Sequence, residues 1–141
     1  MNTLINITLN NETKNGFQNV HINEIHNIPD YSVDILTFSE IQSIKHSACE
    51  QIISILFSKI RPQTGICILE IMDIHSVCEL YINKMMDSSG MSDIVAKIQN
   101  VFSTTDIKTF VEKSNNIFSI LKIENNPDQK KILATIKRNS V

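Results

Sequence analysis

Residues 32–73 read SVDILTFSEIQSIKHSACEQIISILFSKIRPQTGICILEIMD, and this stretch decides the fold. It opens on an apolar run, Val33 to Phe38, set between Asp30 and Ser39. Apolar residues then recur at helical spacing from Glu40 to Ile60. Ile41, Ile44, Ala48, Ile52, Ile55, Leu56 and Ile60 form one stripe. Ser39 suits an N-cap, and Glu40 falls in the first turn, where the helix dipole favours an acid. Arg61-Pro62 stops the helix, because proline disfavours helical backbone at the residue before it. Gly65 leads into a second apolar run, Ile66 to Met72. Two continuous apolar runs joined by a helix describe a βαβ unit with a buried parallel pair. Such units place their ligands at the carboxyl ends of the strands. Here that edge carries Ser39, Glu40 and Asp73.

Upstream, LINITL (residues 4–9) reads as a short strand. The turn-rich NNETKNG follows, and Gly16 is free to take a positive φ. FQNVHINEI (17–25) alternates and reads as a second strand. Downstream, Asp73 suits the cap of a helix ending near Met86. Residues 91–103 have helical spacing, and Thr104 or Thr105 suits the cap of a short helix from Asp106 to Ser114. Ile117–Ile123 and Lys131–Lys137 read as strands joined by the turn Glu124–Gln129. A turn that short requires an antiparallel pair.

With 141 residues and 42% hydrophobic content, the chain suits one domain with a single core, spanning 1–141. No apolar run approaches the roughly 20 residues of a bilayer span. The net charge of −2 argues against a dedicated nucleic-acid binder. Lys130, Lys131, Lys137 and Arg138 read as one solvated C-terminal strand. Cys49, Cys67 and Cys78 are isolated in apolar surroundings and read as core thiols of a reducing compartment. MNTLINITLNNETKN has no basic region followed by an apolar one, so a cytoplasmic protein is expected. His21, His26, His46 and His75 are scattered, and no metal site is expected.

The order of elements, ending in an antiparallel hairpin, resembles the class I S-adenosylmethionine (SAM) methyltransferases. Local strings carry the same resemblance. SVDILTFSEIQSI is similar to that family's "SVDeIyasHvLEH", and FSKIRPQTGICILEIMD to "yRvLKPGGrlvivvPD". IHSVCELYI and TDIKTFVEKSNNIFSILKIE resemble its following helix and last helix-strand segment. LINITLNNETKNGFQNVHI is similar to the start of small members that act around glycan and nucleotide-sugar pathways, through Asn6, Gly16, Phe17, Asn19 and Val20.

The resemblance implies an α/β fold: a reduced, Rossmann-like, mostly parallel sheet with a C-terminal antiparallel hairpin. It also implies methyl transfer from SAM to a small-molecule or glycan-type acceptor. Thr8, Leu9, Asn10, His21, Phe38 and Ser39 fall on the family's cofactor positions. Glu40, His46 and Asp73 fall near the acceptor, with Glu40 as the candidate catalytic residue. Two readings of Glu40 stay open, an acid–base or orienting group and a first-turn acid. Asp73 is open in the same way, between pocket and cap. His46 lies two positions beyond the family's histidine, about 200° around a helix.

The departures are specific. The loop Thr8-Leu9-Asn10-Asn11 lacks the glycines that let backbone N–H groups reach the cofactor. His21 stands where a carboxylate grips the ribose. The helix after the loop is missing from the pattern, and only Ile22–Ile28 is available for a further strand. A lost helix uncovers one face of the sheet. A homodimer, another homo-oligomer or a partner on that face is therefore expected. The alternative function is a non-catalytic module acting through protein contacts or through SAM or nucleotide binding.

Overall fold

The computed structural model describes residues 2–98, 102–126 and 130–140. Six strands form one sheet: β1 (Leu4–Thr8), β2 (Gln18–His21), β3 (Ile35–Phe38), β4 (Ile66–Met72), β5 (Phe118–Asn126) and β6 (Lys131–Arg138). Their order is β2-β1-β3-β4-β6-β5. β2, β1, β3 and β4 run parallel. β6 inserts antiparallel between β4 and β5, the geometry expected of the hairpin. The turn expected over Glu124–Gln129 lies partly outside the described residues.

Register puts the strand core on one face. Ile5, Leu36, Cys67 and Ile136 stand in one row across β1, β3, β4 and β6. Ile7, Phe38, Leu69 and Ala134 make the next row. All eight are buried. This face is covered by α1 (His46–Ser58), by α4 (Thr104–Lys113) and by a 3₁₀ turn at Ile22–Asn27. Cys49, Ile53, Leu56 and Phe57 of α1 and Ile107 of α4 enter the same core. Phe57 is its hinge point: its ring meets Phe110 edge-on at 5.1 Å and Phe118 at 5.0 Å.

The other face differs. Along β4, Cys67, Leu69 and Ile71 are fully buried, while Ile66, Ile68, Glu70 and Met72 are only half-buried. Buried apolar sides on both faces, as the sequence suggested for a parallel pair, are not found. In β1 the opposite face carries Asn6, joined to its neighbours in a polar ladder. Thr37 donates to Asn6 at 2.8 Å, and Asn6 donates to Asn19 at 2.9 Å. Each of these side chains is satisfied without a packed helix.

The reason lies in the connections. Only residues 9–17 link β1 to its parallel neighbour β2, too few for the usual helical crossover. After β2 the chain makes the 3₁₀ turn instead of continuing as a strand to residue 25, with His21 as its N-cap. Ile25 and Ile28 turn inward to the core there, which a straight strand does not allow.

Three other boundaries shift. The helix expected from Glu40 begins at His46, after a separate 3₁₀ turn at Ile41–Ser43. Ile41 and Ile44 are both buried across that break, and Ser39 caps neither piece. Helix α2 (Ile74–Ile82) is capped by Asp73 as expected but ends early. A separate helix α3 (Ser88–Ala96) follows, capped by Asp87. Ser103, not Thr104, caps α4 through a reciprocal box with Asp106.

Arg138 leaves the group of solvated cations. It is buried, donates to the Phe57 carbonyl at 2.9 Å near the end of α1, and stacks over Tyr31 and Phe118. A cation is favourable at a helix C-terminus. No helix among the described residues is long and apolar enough to cross a membrane.

Candidate functional site

Strand order locates the site. From β1 the chain moves outward to β2, then crosses back over β1 to β3. The direction reverses between β1 and β3, and such a switch point opens a crevice at the carboxyl ends of the two strands. Ile7 of β1 lies beside Phe38 of β3, so Thr8 and Ser39 come to the same mouth.

A cavity of about 350 Å³ opens there. Asn6 and Thr8 of β1, Thr37 at the end of β3, Ser39 and Glu40 wall it on the sheet side. Glu12 and Lys14 come from the β1–β2 loop, and Glu70 from β4. The volume lies within the range of small-ligand sites. Several of these residues were not marked by sequence. Their signal was present as phase: Asn6 and Thr8 alternate with Ile5 and Ile7, and Glu70 interrupts the run Ile66–Met72. Glu12 and Lys14 sat in what read as a plain turn.

Glu40 is the centre of a clamp. Its side chain is buried and turns back toward the loop. The carboxylate accepts from the Leu9 backbone N–H and, at 3.2 Å, from the Asn10 amide. It makes no capping bond to its own 3₁₀ turn, so it is not acting as a first-turn acid. His21 holds the other side of the same residue: Nε2 lies 3.0 Å from the Leu9 carbonyl, while Nδ1 accepts from Asn23 N–H at 3.1 Å. With Nδ1 accepting, Nε2 carries the proton and donates. Thr8 Oγ1 accepts from Glu12 N–H at 3.0 Å, and Asn11 adopts φ 60° in the loop. Asparagine tolerates that left-handed conformation better than most residues.

The other candidates separate. Phe38 borders the switch-point cavity from the end of β3, but its side chain is buried in the core. His46 is exposed and lines a different groove of about 330 Å³, with Glu50 on α1 and Asp106, Thr109 and Lys113 on α4. Asp73 is occupied as a cap, accepting from Ser76 N–H at 3.3 Å and Ser76 Oγ at 2.7 Å. Thr8, Leu9, Asn10, His21, Ser39 and Glu40 are therefore gathered around one loop, and His46 and Asp73 are not part of it.

Cys67 lies at the centre of the sheet, where burial raises its thiol pKa. Burial, and then the Asp106 charge, does the same for Cys49. Neither thiol has the lowered pKa of a nucleophile. Among the described residues no group of three or more His, Cys, Asp or Glu side chains could hold a metal ion.

No family model matches the chain, and no curated protein matches it. Solved structures do. A SAM-dependent methyltransferase from Archaeoglobus fulgidus superposes with a TM-score of 0.60 at 14% identity, over 96% of this chain and 75% of that one.

The chain has the class I methyltransferase fold.

Two further structures place the same fold in larger proteins. An O-methyltransferase family protein from Burkholderia thailandensis matches with a TM-score of 0.57 at 10% identity, over 88% of this chain but 36% of that one. Magnesium protoporphyrin IX methyltransferase from Synechocystis PCC 6803, solved with bound SAH, matches with a TM-score of 0.52 at 12% identity, over 94% of this chain and 55% of that one. The chain thus spans between about a third and three quarters of the methyltransferases it resembles.

A SAM-sized ligand can be tested against the residues present. Volume and charge fit. The cavity at the switch point offers Lys14 to a carboxylate, Glu12 to an ammonium, and Thr8, Thr37 and Ser39 to hydroxyls, while Glu70 is already paired with Lys131 at 2.8 Å. The backbone cradle is altered. Its Leu9 N–H already donates to Glu40, and both ring nitrogens of His21 are engaged.

Proposed function

We propose that this methyltransferase-fold chain acts in SAM-dependent methyl transfer to a small-molecule or glycan-type acceptor. The cavity at the β1–β3 switch point is the observation that carries the reading. SAM supplies a methyl group on a sulfonium that is already a good leaving group. The protein's task is alignment and exclusion of water rather than strong acid–base chemistry. Thr8, Lys14, Thr37 and Ser39 hold and orient the ligand. Glu40 fixes the Leu9–Asn10 segment of the loop whose Glu12 and Lys14 border the cavity, and is therefore a positioning residue. The acceptor enters beside Ser39.

The test is titration calorimetry of the full chain with SAM and with S-adenosylhomocysteine. Saturable binding that weakens at least tenfold in Lys14→Ala and Ser39→Ala is expected, a difference of about 1.4 kcal/mol. Absence of heat at millimolar ligand removes the reading.

The closed loop favours a second reading. The Glu40 and His21 bonds satisfy groups that a cofactor would otherwise meet. In this reading the domain is a non-catalytic module that works through contacts with a partner or another copy. It predicts no binding of either ligand in the same titration.

A further inference from the structure

Strand β5 closes the sheet on one side, and among the described residues no strand pairs with its outer edge. Such an edge presents backbone donors and acceptors to any other strand, and proteins usually blunt it. Here it is long, nine residues, and Leu121 to Asn125 are all exposed. Leu121 and Ile123 are 56% and 38% exposed. A bulge between Ile120 and Lys122 disturbs the start of the strand, so the regular edge begins at Lys122. Lys122 and Glu124 follow it on one face and form an ion pair with each other, with side chains 63% and 48% exposed.

The spacing of those two charges matters. When two copies of one strand pair antiparallel about a two-fold axis perpendicular to the sheet, one residue must lie on the axis. Residues equally far from it on either side then face each other on the same side of the sheet. With Ile123 on the axis, Lys122 of each copy faces Glu124 of the other. Two attractive pairs form on one face, and the two Ile123 side chains meet on the other. With Lys122 or Glu124 on the axis, like charges meet directly, which is destabilising. Among the registers of this edge, only the one centred on Ile123 sets Lys122 against Glu124 in both pairs, so the charge pattern favours it.

We propose that the outer edge of β5 is a homodimer interface, in which a second copy pairs antiparallel with residues 122–124 about an axis through Ile123. The occupant is chosen by charge complementarity of the strand with itself. The sheet becomes continuous across the pair, and the exposed Ile123 side chains are covered at the seam. The proposal does not depend on whether the switch-point cavity binds SAM.

Sedimentation velocity on the full chain tests it. At about 100 µM the wild type is expected as a dimer of twice 16.0 kDa. Lys122→Glu and Glu124→Lys each place like charges opposite one another, and each should weaken dimerisation by about tenfold or more. The double variant K122E/E124K exchanges the charges and should restore the dimer. All four positions of the two pairs are exposed, and unchanged far-UV circular dichroism confirms that each variant is folded. A monomeric wild type at that concentration overturns the proposal. So does a dimer that either single reversal leaves intact, or one that the double exchange fails to restore.

Discussion

Replacing Glu40 by alanine probes the clamp directly. The side chain is buried, 7% exposed, and accepts from the Leu9 backbone N–H and the Asn10 amide. Truncation leaves the part-buried Leu9 N–H without its acceptor, which costs about 1–2 kcal/mol, the lower part of the range for a buried donor. The longer Asn10 contact adds about 0.5 kcal/mol. A total loss of about 1.5–2.5 kcal/mol follows. With a urea slope of about 2 kcal/mol/M for a domain of this size, the unfolding midpoint falls by about 0.8–1.2 M. Glu40→Gln keeps a carbonyl oxygen for Leu9 but gives up the charge-assisted bond, so its midpoint should fall by only about 0.5 M. Asn10→Ala in the Glu40→Ala background should add little, since the contact is already gone. Equilibrium urea unfolding followed by far-UV circular dichroism measures all three. The reasoning is refuted if the alanine variant unfolds at the wild-type midpoint, or if glutamine costs as much as alanine.

Phe57→Ala opens the core where α1, α4 and β5 meet, and should cost about 3–5 kcal/mol in urea unfolding, more than any change at the site. Gly65→Ala puts a β-carbon 2.6 Å from the Arg61 carbonyl oxygen and 2.7 Å from its nitrogen, so backbone must move. A loss of about 1–3 kcal/mol is expected, read by the same unfolding assay. Asp30 pairs with the buried Lys59 at 2.7 Å, and the hydrogen bond and charge of Lys59 hold its pKa below 3.8. A depressed folded-state pKa stabilises above the unfolded value and is lost as pH falls through the folded one. Thermal melts below pH 4 should therefore show a steeper acid loss for wild type than for Asp30→Asn, and parallel curves would contradict the assignment.

Much of the fold was legible because it rests on period. β4 was read to the residue, since seven consecutive apolar-dominated positions between Gly65 and Asp73 leave little freedom. For Asp73 the sequence leaves pocket and cap open, and the structure makes it a cap. The break before α1 was not legible. Ile41 and Ile44 fit a helical stripe as well as they fit a separate 3₁₀ turn, and only packing against the sheet distinguishes the two. The same holds for Ile22 and Ile25. They continue the alternation of β2, but the core lies to one side of them.

The site divides along the same line. Sequence order determined that the Thr8–Asn10 loop, His21 and Glu40 belong to the end of a parallel sheet, because strand alternation and chain order fix which ends meet. It also determined that the usual glycine cradle is altered, since residue type there is read directly. What the residues do to one another was decided by the tertiary structure alone. Glu40 lies 31 positions from Leu9, and no local pattern encodes that bond. The register of β1 against β3 brings the two together, turning a residue that reads as a helix-start acid into the clamp of the loop before it. Long-range register is set by the whole core at once, and no local stretch of sequence contains it.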